Sequence, residues 1–182
     1  EVYSDIALPL LSDYKFFQGL EGGNLNFLSN FDNKESTNLL NINNFKLNEA
    51  PALAKLLSLA DLKGLTDTLK GDGISFDTLS VKYSSDSSQM TIQEIFMIGP
   101  SISILMDGYV EKKNGLVSLK GTLVPAKTLN NLISRIPVVG DLLIGKEIGE
   151  GVFGISFKIK GLPNNLKTTV NPVKTLTPRF IT

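Results

Sequence analysis

From Gly73 onward the chain alternates apolar and polar residues with a period of two, segment after segment. That spacing sends successive side chains to opposite faces of an extended strand, whereas a helix needs a period near 3.6. "GISFDTLSVKYSS" alternates through Ile74 and Phe76 and then through Leu79, Val81 and Tyr83. The phase slips near Asp77-Thr78, which predicts a bulge there. "QMTIQEIFMIG" and "SISILMDGYVEK" follow, joined at Gly99-Pro100, with Ile102, Ile104, Met106 and Val110 on one face. "GLVSLKGTLV" sets Val117, Leu119 and Leu123 against Ser118, Lys120 and Thr122. "GVFGISFKIKG" sets Phe153, Ile155, Phe157 and Ile159 against Gly154, Ser156, Lys158 and Lys160. A last strand over Leu166 to Val170 leads into an extended, proline-broken tail at 172–182.

The first third is mixed. Leu10, Leu11, Tyr14 and Phe17 predict a helix over Asp5 to Gln18. After Gly22-Gly23, "NLNFLSNF" and "TNLLNINNFKL" read as a hairpin, with Leu25, Phe27 and Phe31 on one side. "PALAKLLSLA" then carries Leu53, Leu56, Leu57 and Ala60 at helical spacing, with Pro51 in the first turn, where its missing N–H costs no helical bond. A second helix follows with Leu62, Leu65 and Leu69 on one face. Asp61 is its expected cap and Gly71 its expected left-handed stop.

The expected fold is mainly β with short helices, an α+β chain. It is a single domain over 1–182 built on a curved or groove-like antiparallel meander, with helical insertions at about 51–70 and 125–144. One sheet face is apolar and one is solvated. The apolar face must close, fold over, accept helices or hold an apolar ligand.

Composition removes several chemistries. The 182 residues include no Cys, His or Trp. That excludes thiol nucleophiles, Cys/His zinc sites and a Ser-His-Asp triad. Lys+Arg and Asp+Glu both number 18, and such neutrality argues against nucleic-acid binding. The longest apolar runs fall short of the about 20 residues that span a bilayer. Glu147 and Glu150 flank a turn, and Asp67, Asp72 and Asp77 lack the close alternation of a calcium loop. Gly149 to Gly154 mimics a nucleotide-binding fingerprint but leads into a strand, without the helix that such a site needs. No catalytic residue, metal or cofactor is expected. The opening on Glu1 rather than Met reads as a piece, or a processed form, of a longer protein.

Two readings of the apolar strand faces remain: an ordinary core, or a groove for acyl chains. Periodicity is the same for both. "GTLVPAKTLNNLISRIPVVGDLLIG", from Gly121 to Gly145, adds a second question. Pro125 opens a short helix bearing Leu129, Leu132, Ile133 and Ile136, and Pro137 stops it. Val138, Val139, Leu142 and Leu143 form a second apolar turn. These residues are either a lid over the sheet's end or an interfacial element against a membrane.

The ordered series "EGGNLNF", "GPSISILMDGYV", "GTLVPAKTLNNLISRIPVVGDLLIG", "EGVFGISFKIKG" and "VNPVKTLTPRF" resembles the C-terminal region of the AsmA-like superfamily, in its YhdP-type branch, related also to TamB. Lys127 stands where that family commonly has an aromatic, and Arg179 where it has a small residue. The resemblance implies a periplasmic protein of the Gram-negative cell envelope, anchored in the inner membrane by a segment outside this sequence. It implies the distal part of a β-groove that carries phospholipid toward the outer membrane and supports its integrity. Acyl chains would lie on Ile102, Ile104, Met106, Val117, Leu119, Leu123, Phe153, Ile155, Phe157 and Ile159. The 125–144 segment would meet the inner leaflet of the outer membrane. A structural scaffold binding an envelope protein is the alternative.

Overall fold

The computed structural model describes residues 1–7, 11, 19–125 and 154–173. They form one open antiparallel sheet of nine strands in chain order. The strands are β1 (Val2–Ser4), β2 (Leu20–Asp32), β3 (Glu35–Leu47), β4 (Ile74–Ser85), β5 (Gln89–Ile98), β6 (Ile102–Glu111), β7 (Val117–Pro125), β8 (Gly154–Leu162) and β9 (Asn165–Val173). Two helices, α1 (Pro51–Leu59) and α2 (Lys63–Lys70), connect β3 to β4. The expected mainly-β meander with helices near 51–70 is therefore present. β1 is an addition that three residues were too short to announce. β9 runs three residues past the expected strand, into the segment expected as tail. Of the helix expected over 5–18, the described residues are 5–7 and Leu11. Leu11 is helical, and it is buried with Ala7 in the core.

The sheet has two dissimilar ends. At the hairpin end the strands turn back tightly, as at Asn33, whose φ of 54° lets two residues join β2 to β3. Between β4 and β5 the carboxylate of Asp86 organises the turn. It accepts bonds from the Ser88 amide (2.6 Å), the Ser88 hydroxyl (2.7 Å) and the Gln89 amide (3.0 Å). The Ser88 hydroxyl first, then these amides, hold the Asp86 carboxyl below its ordinary value of 3.8. A lowered folded-state pKa stabilises the fold above the ordinary value, and that gain is lost as pH falls below it. Asp86→Asn is therefore expected to lower the thermal midpoint at neutral pH. The gap to wild type should close as acid is added below about 3.8.

At the other end, α1 and α2 stopper the sheet. Leu53, Leu56 and Leu57 of α1 and Leu69 of α2 belong to one buried cluster with Ile42, Phe45, Ile74 and Phe76 of the strands. Pro51 opens α1 as expected. Asp61 does not cap α2; it adopts φ 57°, and Leu62 is the N-cap, without a side-chain bond. Gly71 has φ −96°, and the left-handed glycine is Gly73 at 79°. The turn is closed instead by Gly73 N–H donating to Thr68 O at 2.8 Å.

α1 also approaches β9. In a flat sheet β3 and β9 lie six steps apart, about 29 Å at 4.8 Å per strand. A helix is only about 10–12 Å across. The sheet therefore curls around its helices.

The predicted bulge at Asp77-Thr78 is absent. β3 and β4 stay in register through it, with Asn43 opposite Thr78 and Phe45 opposite Phe76. The inward phase shifts in neighbouring strands together instead. Asn44 has φ 56°, and Gly22 and Gly23 on β2 have 70° and 80°. The irregularities in the ladder involve β5, at Ile92/Ile95 against β6 and at Lys82/Tyr83 against β4.

Candidate functional site

Register places the predicted strip on one face, here the inner one. A first row across the sheet joins Leu25, Ile42, Leu79, Met97, Ile104, Leu123 and Ile155. A second joins Phe27, Leu40, Val81, Ile95, Met106, Gly121, Phe157 and Val170. A third joins Ser29, Asn38, Tyr83, Ile92, Gly108, Leu119, Ile159 and Thr168. Val117 sits in a fourth row, opposite Val110. Ile102 lies one step beyond the first row, nearer the helices.

Burial divides this strip. Ile102, Ile104 and Leu123 are at most 3% exposed and join the cluster that holds the helical leucines. Phe157 and Val117 are also buried. Met106, Leu119, Ile155 and Ile159 are half-buried. So are Phe27, Leu40, Val81, Ile95 and Val170, which the sequence reading left out of the site. Their signal was present in the same alternation, but only register shows that the strands align it. Phe153 and the lid or membrane candidates Leu132, Ile133, Ile136, Val138, Val139, Leu142 and Leu143 lie outside the described residues. The flanks of that segment, Pro125 and Gly154, both stand at the helix end.

Gly121 lets the second row close up. It faces Phe157 across the strand pair, and a Cβ there would stand 2.7 Å from the Phe157 ring and 2.7 Å from Met106 Cγ, and would meet Leu105 O. The ring occupies the space that a glycine leaves on a sheet. Gly121→Val is expected to expel the ring and destabilise the protein by about 1–3 kcal/mol, the usual cost of overpacking. Urea titration measures it.

The inner face is not uniformly apolar. On β2–β4, toward the hairpin end, it turns polar. Ser29 Oγ donates to Asn38 Oδ1 at 2.7 Å, and Asn38 Nδ2 donates to Ser36 Oγ at 2.9 Å. Asn38 and Ser36 are both buried, at 4% and 8% exposure. Bonded on both sides, the amide avoids the penalty of a buried unpaired group. This corner borders an open concavity of about 520 Å³ lined by Phe31, Ser36, Ser85 and Ser87 and by two residues of each charge, Lys34, Lys112, Glu35 and Asp86. The corner was not legible as a site: Ser29 and Asn38 fall on the expected strands, but alternation does not show that inward polar side chains on different strands satisfy one another.

Among the described residues no three carboxylate, His or Cys groups come together to hold a metal, and no helix is long and apolar enough to cross a membrane. No family model matches the chain, and no curated protein or solved structure with which it was compared matches either.

Proposed function

We propose that this chain is a lipid-binding sheet of the AsmA-like kind, the distal part of a cell-envelope groove that carries phospholipid toward the outer membrane. The observation that supports it is the half-buried apolar band of Met106, Leu119, Ile155 and Ile159 with Leu40, Val81 and Ile95, continuous across a curled sheet. The second row alone crosses seven strand intervals, about 34 Å at 4.8 Å each. One acyl chain fills half of a hydrocarbon core about 30 Å thick, so about 15 Å. Each buried CH₂ contributes about 0.8 kcal/mol, the same at every step, so a chain can slide along the band without a deep trap. The polar corner at Asn38, beside a concavity that carries two lysines and two carboxylates, suits a zwitterionic headgroup that stays wet.

On this reading the stoppered end is core and takes no ligand. Ile102, Ile104 and Leu123 then support the groove rather than line it. Native mass spectrometry of gently purified protein is expected to detect bound phospholipid, and protein free of lipid would sink the reading. The filling of one end by α1 and α2 favours a second reading, a scaffold that binds an envelope protein. That reading predicts no copurified lipid and an unchanged surface on delipidation.

A further inference from the structure

The outer face carries a feature that the acyl-chain band does not use. After Glu150 the sequence has five cations, Lys158, Lys160, Lys167, Lys174 and Arg179, and no Asp or Glu, in a chain whose net charge is zero. β7 likewise has Lys120 and no carboxylate. In the sheet, Lys120, Lys158, Lys160 and Lys167 all point outward, away from Leu119, Phe157, Ile159 and Leu166, and all are exposed. Lys120 stands directly opposite Lys158, and Lys160 directly opposite Lys167. Like charges facing one another across a strand pair destabilise a sheet. Among the described residues only Lys120 has an ion pair, with Asp107 at 3.2 Å.

We infer that this lysine face is a docking surface for an anionic lipid bilayer, at the phosphate level. The three strands make a strip about 10 Å wide. Its other outward residues include Ser118, Thr122, Ser156 and Thr169. A protein partner would be anchored by buried aromatic or aliphatic residues at the centre of the contact, whereas the outward aliphatic residues of this strip, Val124 and Leu162, stand at its two ends. A fluid array of phosphates asks only for charge, and attracts each nearby lysine by about fivefold in affinity at low salt. The inference stands apart from the acyl-chain reading, because it concerns the opposite face. If both hold, the bilayer lies beside β9, the last described strand, over whose edge a lipid would reach the inner face.

The test is co-sedimentation with phosphatidylglycerol vesicles and with phosphatidylcholine vesicles, at low and at physiological salt. Wild type is expected to bind only the anionic vesicles, more weakly as salt rises. The triple variant K158E/K160E/K167E is expected to lose about 100-fold or more in affinity, since it removes three attractions of about fivefold each and adds repulsion. A matched control, K55E/K63E/K70E, changes net charge equally at three exposed lysines of the helices and is expected to bind nearly as wild type does. All three sites of the first variant are exposed, and K160E alone creates an opposite-charge pair with Lys167, so the single variant should keep its thermal midpoint and still show a graded loss. Equal loss in both triples, equal binding to the two vesicle types, or capture of a polyglutamate peptide in place of vesicles would overturn the inference. Phospholipid copurified on the inner face should be unchanged in K158E/K160E/K167E, which separates failure here from failure of the groove.

Discussion

Phe76→Ala is expected to cost about 3–5 kcal/mol, the loss typical of a fully buried phenylalanine. Phe76 is 1% exposed, and its ring stacks on that of Phe45 with centroids 5.3 Å apart and planes 15° from parallel. It sits where α1 and α2 meet the sheet, so the cavity cannot be filled from solvent and the rigid helix pair can collapse only partly into it. Whole-protein stability is commonly about 5–15 kcal/mol, so one truncation removes a large share. Urea titration should show a lower midpoint with an unchanged slope. Phe31→Ala is the matched control. Phe31 is 84% exposed at the hairpin end, and its truncation should change stability by no more than about 0.5 kcal/mol. Equal costs at the two positions would mean that the helices do not seal the sheet.

Met106→Asp combined with Ile159→Asp is expected to abolish lipid binding while leaving the protein folded. Both side chains are half-buried at the margin of the core cluster, in the second and third rows. The carboxylates can reach water in the empty protein. Under an acyl chain they cannot, and an ionised Asp in hydrocarbon costs about 2.5–3.5 kcal/mol. Two of them exceed the gain from several buried CH₂ groups. Native mass spectrometry should find no phospholipid, and circular dichroism should retain the strand signal. Ile104→Asp is the contrast. At 3% exposure in the sealed cluster it should unfold the protein outright. Phospholipid retained by the double variant would end the groove reading.

The fold was largely legible because a strand period of two is a local property. Ile102, Ile104 and Met106 can be assigned to one face from their spacing alone. The two leucine-rich turns between β3 and β4 were legible for the same reason, since Leu53, Leu56 and Leu57 mark a stripe at a period near 3.6. What escaped was set by neighbours. Asp61 looked like a cap, yet the chain takes a left-handed step there and starts α2 one residue later. The slip at Asp77-Thr78 looked like a bulge because one strand was read alone. Its cause lies on adjacent strands, in the left-handed Asn44, Gly22 and Gly23. The division of the strip into sealed and half-open parts depends on which helix lies over which row, and alternation is blind to that. Asn38 was passed over because its polar side chain is reconciled with burial by Ser29, Ser36 and the Tyr83 carbonyl, the first and last from other strands.

The strictly sequential strand order has a kinetic consequence. Each strand from β2 to β9 finds its partner immediately before or after it in the chain. Pairing can therefore spread from any hairpin, each step closing a short loop, and hairpins form in about 1–10 μs. Such a sheet behaves like a one-dimensional array, whose ends open before its middle. The approach of α1 to β9 is different, since it links residues 51–59 with residues 165–173. Closing that long loop carries most of the entropic delay, so the curl should form last and slow amide exchange should begin in β3 and β4 and reach β9 only when α1 has docked.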